Sequence, residues 1–376
     1  MKKALCVLII AASAALYACG AQTGDVTVPV TNADTTATAV TETEAPTGQV
    51  TDTEQIIPEE EIDPSEIGIW YSTWYAYTEP GSDSNRFDTW GAWSIDFTPL
   101  LPDGTFGYYD SKDDEMIRFH LEKLSEAQID FIIMDQTNNI DVDGGYINER
   151  SLSVAKCVKQ YNDSGARPVR YCSAIGGIQW SQNAKTIEDE AEMLWRRYCE
   201  QDFGGEKYHY YLDGKPLLIV YGDGAERMWA EYDGDKTYAD KFTIRWADNN
   251  STPGYFGWAY DKGPVWDGGV TVVMPGWHNR AGHTPVNRKY GETYKKFWQN
   301  ILDAEYRPRL IVINSFNEYA ERTAVFPAVS NEKTANADKW YKDRSKTEDP
   351  YMYWDMTVSY IKRFKEMRKP LYGKQG

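Results

Sequence analysis

Arg309-Leu310-Ile311-Val312-Ile313-Asn314-Ser315-Phe316-Asn317-Glu318-Tyr319-Ala320-Glu321-Arg322-Thr323 sets a short apolar run directly before two carboxylates three residues apart. An unbroken apolar run of this length fits a strand buried on both faces, as in a parallel sheet. In an extended strand residues i and i+3 point to opposite faces, so Glu318 and Glu321 share a pocket only if the backbone turns between them. A helical turn there would bring their Cβ atoms to roughly 5–6 Å. That separation suits two carboxyl groups flanking a glycosidic bond, one giving a proton to the leaving oxygen, the other managing charge or a second proton. The simpler reading is a pair of solvated acids in the first turn of a helix, where the macrodipole favours negative charge. Phe316 and Tyr319 alternate with the acids and Asn317 precedes Glu318, a grouping of aromatic walls and acids that fits a sugar site.

Outward from this stretch the chain alternates strand and helix. Residues 67–75 and 129–135 read as strands around a helix over 113–128 with Met116, Ile117, Leu121 and Leu124 on one face. Helix 148–162, strand 167–175 and helix 187–201 follow. Segments 208–211 and 216–221 form a hairpin through Leu212-Asp213-Gly214-Lys215, a strong turn signal. The order closes with helix 225–239, strands 242–246 and 270–274, helix 290–306, strand 309–314 and helix 354–368. Repeated units of this kind imply a parallel sheet covered by helices, and seven or eight of them favour an α/β fold of the closed (β/α)8 TIM-barrel type over an open doubly wound sheet. No glycine-rich phosphate loop follows the first strand, which gives a dinucleotide fold no support.

In a barrel, catalytic groups gather where strands end and loops begin. Asp135 follows Phe131-Ile132-Ile133-Met134, Tyr221 and Asp223 follow Leu217–Val220, Trp277 and His278 follow Val272-Val273-Met274, and the two glutamates follow Leu310–Asn314. Each alone reads equally well as a loop cap, but their joint arrival at strand ends points to a site.

The first 19 residues carry Lys2 and Lys3, an apolar stretch from Ala4 to Leu16, then Tyr17-Ala18-Cys19, the form of an export signal. Leu16-Tyr17-Ala18-Cys19 resembles a bacterial lipobox, in which cleavage before the cysteine leaves a lipid-modified Cys19. Residues 20–64 are rich in Thr, Ala, Val, Pro and Glu and lack aromatic residues, so they form an expected disordered tether before a catalytic domain over 65–376. The protein is therefore expected outside the cytoplasm, held to the bacterial surface by a lipid on Cys19.

A net charge of −17 disfavours nucleic acid, which needs a basic face, and points to a neutral glycan partner. With 14 Trp and 27 Tyr, stacking surfaces for sugar rings are plentiful, although most must serve the core. Cys157, Cys172 and Cys199 match no metal spacing, and four histidines make a multi-histidine metal site unexpected; no cofactor is implied. Asn139-Ile140-Asp141-Val142-Asp143-Gly144-Gly145 partly resembles a calcium loop, but its twelfth position is Arg150 and not a bidentate glutamate, so a turn is the better account.

At Met274-Pro275-Gly276-Trp277-His278-Asn279-Arg280 and Asn314–Thr323 the chain resembles the glycoside hydrolase family 99-like proteins, which include endo-α-mannosidases and the WbsX-like group, and more distantly the family 71 α-1,3-glucanases. Their late-strand motif has the form Asn-Glu-Trp-x-Glu-Gly-Thr, often with Pro-Gly-Trp one strand earlier. The resemblance implies a (β/α)8 barrel and hydrolysis of α-linked glycans, α-mannan being the family default. It implies Glu318 as the base acting on the substrate 2-hydroxyl and Glu321 as the acid protonating the glycosidic oxygen, with retained configuration and no covalent glycosyl-enzyme. It places Trp277 and His278 in a subsite and Tyr71, Trp74 and Tyr75 as aromatic walls; Asp135, Tyr221, Asn317 and Tyr319 complete the expected substrate contacts.

The chain departs from the motif at Phe316 and Tyr319, where tryptophan is usual, at Arg322, where glycine follows the second acid, and at Phe326, where a later acid stands. An Arg322 guanidinium beside Glu321 would lower its pKa and oppose an acid role unless it points away. Two further readings stay open: a surface glycan-binding lipoprotein without turnover, and a retaining β-glycosidase with Asn317-Glu318 as its Asn-Glu pair.

Overall fold

A computed structural model describes residues 65–75, 97–138, 146–176, 186–249, 252–258, 269–277, 286–330 and 349–373, all within the compact unit Ile57–Gly376. The strands are β1 (Glu66–Ser72), β2 (Phe97–Pro99), β3 (Phe131–Gln136), β4 (Arg170–Gly176), β5 (Tyr211–Leu212), β6 (Lys215–Tyr221), β7 (Thr243–Ala247), β8 (Val270–Val273), β9 (Leu310–Ile313) and β10 (Ala328–Ser330). The helices are α1 (Asp114–Glu126), α2 (Tyr146–Asp163), α3 (Ile187–Leu194), α4 (Ala225–Ala230), α5 (Glu292–Asp303) and α6 (Met352–Lys365).

Parallel ladders join the strands in the order β7-β6-β4-β3-β1-β9-β8. Followed as a ring, this is chain order: β1, β3, β4, β6, β7, then β8, β9 and back to β1. The first parallel strand is paired with the last, Ile67 opposite Ile311 and Ile69 opposite Ile313, which is how a barrel closes. The closed eight-stranded barrel expected from the sequence is met in part. The described residues give a curled sheet with seven parallel strands in barrel order, and among them no ladder joins β7 to β8. The eighth strand of the sheet, β5, is the antiparallel hairpin partner of β6. Its turn has Asp213 at φ 52° and Gly214 at φ 80°, so the Asp-Gly signal in the sequence is realised.

Burial explains why these runs become strands. Every residue of β3, β8 and β9 is buried, and aliphatic side chains of that kind contribute about 1.5–3 kcal/mol each when removed from water. Gly68 matters inside this sheet, because a Cβ there would lie 2.4 Å from the Phe131 ring. Phe131 fills that space and stacks on Tyr210 with centroids 3.8 Å apart.

The helices follow their sequence signals with two differences. Asp113 caps α1 by accepting from the N–H groups of Glu115 and Met116, and Met116, Ile117, His120, Leu121 and Leu124 face inward. A capping box of Thr186 and Asp189 starts α3, which runs to Leu194 and continues as one wider turn over Trp195–Cys199. The helix expected over 225–239 stops at Ala230, because it buries no residue and meets Asp233-Gly234-Asp235, where Asp235 turns back to accept from Thr237. A small antiparallel pair, β2 with β10, was not anticipated. Cys157 and Cys172 are buried thiols and Cys199 is half-buried, all three unbridged.

At the amino-terminal ends of the strands, Asp130 accepts from the Ile67 N–H at 2.8 Å and from Lys365 Nζ at 3.0 Å, while Arg167 Nη2 donates to its other oxygen. It thereby ties β1, the last helix and the β3–β4 layer together, on the pole opposite the glutamates. Asp130→Ala is expected to lower stability by about 3 kcal/mol and the melting temperature by roughly 4–5 °C, with ligand binding at the other pole retained. Thermal melts of the variant beside the parent test this.

Candidate active site

Residues 314–324 leave β9 as a chain of turns and not as a helix. Tyr319 N–H donates to the Asn317 carbonyl, Arg322 N–H to that of Tyr319, and the Thr323 and Ala324 N–H groups both reach the Glu318 carbonyl. The acids are therefore brought together by a hydrogen-bonded loop, and the alternative of a solvated first helical turn does not apply.

Asn317 fixes this loop to β1. Its Oδ1 accepts from the Ser72 N–H at 2.7 Å, and its Nδ2 donates to the Ser72 carbonyl and to Tyr109 Oη, each at 3.0 Å. The side-chain amide thus pairs with the end of β1 as another strand residue would. Tyr75 adds a second tie: its hydroxyl donates to the Asn317 carbonyl at 2.8 Å and accepts from the Tyr319 N–H at 3.0 Å.

Glu318, 5 % exposed, rests on this frame. Its Oε1 accepts from the Ala320 N–H at 2.8 Å and the Glu321 N–H at 3.1 Å, and its Oε2 accepts from Ser72 Oγ at 3.1 Å. Glu321 is half-buried and turns to two indoles: Trp258 Nε1 donates to its Oε2 at 3.0 Å and Trp277 Nε1 to the same atom at 3.2 Å. Asp135 stands at the end of β3 in register with Ser72 and accepts from the Thr137 N–H and hydroxyl.

Three carboxyl groups thus share one water-poor region. Burial pushes Glu318 well above the usual carboxylate range, helped by the neighbouring charges of Glu321 and Asp135 and opposed by the backbone N–H and Ser72. Burial also raises Glu321, with Asp135 adding to it and the two indole N–H groups opposing it. Asp135 is pushed up to about 6, again by burial. Such a group retains at least one proton near neutrality, so an acid and a base coexist in it.

These shifts have a stability consequence. A buried Glu318 whose pKa lies above its ordinary 4.5 contributes fully to stability below that pH. The contribution is lost as pH rises through the raised folded-state value. Glu318→Gln keeps the shape and sheds the charge, so the variant is expected to melt higher than the parent at pH 8 by about 2–3 kcal/mol of stability. The difference should shrink to near zero below pH 5, and thermal melts across this range check the sign.

Of the residues anticipated from sequence, Glu318, Glu321, Asp135, Tyr221 and Trp277 are brought together. Tyr221, at the end of β6, lies edge-on to Trp258 at 5.4 Å and feels the charge of Glu321. Trp74 is half-buried beside Tyr75. The expected aromatic walls are otherwise corrected. Tyr71, Tyr75, Phe316 and Tyr319 are buried to 2 % exposure or less. Tyr71 is bonded to His120 Nδ1 at 2.7 Å and stacked on Phe316, in the layer beneath the acids. Asn317 is likewise a buried frame residue, its side chain bonded to Ser72 and Tyr109. His278, Cys19 and the loop Asn139–Gly145 lie outside the described residues.

Arg322 has φ 61°, in the left-handed region that glycine enters without cost, and this is the position where the related motif carries glycine. Its carbonyl accepts from Arg288 Nη2 at 2.9 Å. Arg288 Nη2 also donates to the Ala324 carbonyl at 2.6 Å, and its guanidinium lies 4.2 Å from the Tyr353 ring centroid. Gly276 is needed for that reach, because a Cβ there would meet Arg288 Cγ at 2.5 Å. Sequence reading missed Ser72, Trp258 and Arg288; only Gly276, in its Pro-Gly-Trp setting, hinted at a close approach.

Sheet and site together define a parallel barrel-type fold with a carboxyl pair at the carboxyl ends of its strands. No family model matches the chain, and no curated protein sequence matches it. In fold it is similar to the GH99 endo-α-mannosidase of Bacteroides thetaiotaomicron in complex with bis-tris-propane, at 19 % identity and a TM-score of 0.57, over 81 % of this chain and 98 % of that one. A second structure of a GH99 endo-α-mannosidase from the same organism matches at 17 % identity and a TM-score of 0.54, again over 81 % and 98 %.

Proposed function

We propose that the protein is a glycoside hydrolase acting on α-linked glycans, with α-mannan-type chains as its first substrate class, and that Glu318 and Glu321 are its base and acid. The observation that carries this reading is the pair of raised carboxyl groups at the end of β9, Glu318 buried and Glu321 half-buried, held on one loop by the Glu321 N–H on Glu318 Oε1. Likeness in fold to GH99 endo-α-mannosidases supports it and favours endo action. In this reading Glu318 takes the proton of the substrate 2-hydroxyl as its oxygen bonds to the anomeric carbon. Glu321 gives its proton to the glycosidic oxygen, which keeps the bonding pair as the C–O bond breaks. Water then attacks the anomeric carbon and gives a proton to Glu321, while the C1–O2 bond of the 1,2-anhydro sugar breaks and Glu318 returns its proton to the 2-oxygen, so both acids are reset and configuration is retained.

The hydrogen-bond counts agree with these roles, whereas burial raises Glu318 further than Glu321, so the base role requires Glu318 to lose its proton before it acts on the 2-hydroxyl. Glu318 receives three donors, which favour its carboxylate, whereas Glu321 receives two, both on one oxygen. Trp277 and Tyr221 are the proposed substrate-facing aromatics, with His278 beside Trp277 in sequence. The finer reading of the fold is a (β/α)8 barrel. A lipid on Cys19 would hold the enzyme at the bacterial surface, and loss of radiolabelled palmitate from Cys19→Ser tests that part separately.

The test of the activity is incubation of the purified protein with yeast mannan, α-1,3-glucan and N-glycans, with products read by mass spectrometry. Oligosaccharide release by the parent is expected. Binding of one glycan without product would replace this reading with that of a glycan-binding lipoprotein.

A further inference from the structure

Trp258 lies between β7 and β8, in a stretch to which the sequence assigned no role. It is held from three sides. Its own N–H donates to the Asp248 carbonyl at 3.1 Å, while its ring lies 5.1 Å from Trp70 of β1 and 5.4 Å from Tyr221 of β6. The preceding residues are fixed as well: the Phe256 N–H donates to the Trp246 carbonyl, and its carbonyl accepts from Trp70 Nε1 at 2.8 Å. Gly257 is required for this path, since a Cβ there would sit 2.1 Å from the Asp248 carbonyl oxygen. The outcome is an indole N–H aimed at Glu321 Oε2, the atom that Trp277 reaches from the end of β8.

An indole N–H only donates. Two such donors on one carboxyl oxygen occupy its lone pairs and leave no place there for a proton. We propose that Trp258 and Trp277 are positioning residues that decide which oxygen of Glu321 carries the transferable proton, confining it to Oε1. When that proton leaves, negative charge grows on the carboxyl group, and the two N–H groups, already in place, strengthen toward Oε2. They therefore act more in the transition state than in the ground state. Among the described residues, the titratable groups facing Glu321 are Glu318 on its own loop, Asp135 at the end of β3 and Tyr221 at the end of β6. Burial and Asp135 oppose its ionisation, and the indoles are the donors that favour it. This inference rests on Glu321 being the proton donor of the proposed function.

The test uses the full protein with nitrogen-15 in its indoles and follows the Trp258 and Trp277 N–H resonances against pH. Both should titrate with one midpoint and lose that titration in Glu321→Gln. Trp258→Phe keeps the ring and removes the donor. The Trp277 midpoint should then move up by about one pH unit, the basic limb of the pH–rate profile should move with it, and kcat should fall about tenfold with KM within twofold. Trp277→Phe should do the same to the Trp258 resonance, which keeps the test open if one variant folds poorly. An unmoved midpoint in both variants, or titration that persists in Glu321→Gln, overturns the proposal. Titration as described in a protein that releases no product from any glycan sustains the proton placement and defeats only the hydrolase reading.

Discussion

Glu321→Gln is expected to reduce glycan hydrolysis by about three orders of magnitude, and Glu318→Gln by a similar factor, both with little change in glycan affinity. Neither substitution removes much of the frame. The glutamine oxygen of Glu321→Gln can still accept from Trp258 and Trp277, and that of Glu318→Gln from the Ala320 and Glu321 N–H groups. What each removes is a proton donor or acceptor, so the loss should fall on kcat. Roles are separated by the leaving group: a substrate with a good leaving group needs no proton, so it should restore Glu321→Gln by at least tenfold and leave Glu318→Gln unimproved. Equal rescue of both, or of neither, would overturn the assignment of acid and base while leaving a paired-acid hydrolase in place.

Asn317→Ala is expected to be the most damaging single change to the site's framework, costing about 4 kcal/mol. Its side chain satisfies the Ser72 N–H, the Ser72 carbonyl and the Tyr109 hydroxyl, all buried, and each group left without its partner costs about 1–3 kcal/mol. Asn317→Asp should be no better, because the amide donor that faces the Ser72 carbonyl becomes a second acceptor and adds charge beside Glu318. Urea midpoints give the stability term. Activity should fall in both variants even at temperatures where they are folded, since Ser72 is also the partner of Glu318 Oε2. Full activity in folded Asn317→Ala would show that the loop is held by other contacts.

Strand order was legible in the sequence because each strand is a short apolar run bounded by turn residues, and seven such runs became the seven parallel strands. The acid pair was legible for a similar reason: Glu318 and Glu321 stand directly after Leu310–Ile313. The aromatic residues misled, because sequence pattern does not distinguish a ring facing a cleft from one beneath it. Tyr71, Tyr75 and Tyr319 are bulky rings that fill the layer under the loop, their hydroxyl or backbone groups used internally. Trp258 was not legible at all, since its role depends on a contact across 63 positions of sequence. Ser72 was hidden in the same way, by a partner 246 positions away.

The pairing of β1 with both β3 and β9 bears on how the molecule comes into being. β1 is made first, yet one of its edges waits for β9, and the bond from Ser72 to Asn317 spans 245 positions. Long-range closure of this kind is slow and leaves a strand edge open in the meantime. A chain interrupted anywhere before Leu310 lacks both glutamates and the strand that covers β1, so an incomplete product is prone to association and, on the proposed function, without activity. Co-expression with a separate segment beginning before β8 would supply that missing edge in trans, and the appearance of activity only in the pair would date the birth of the site to the arrival of the last parallel strand.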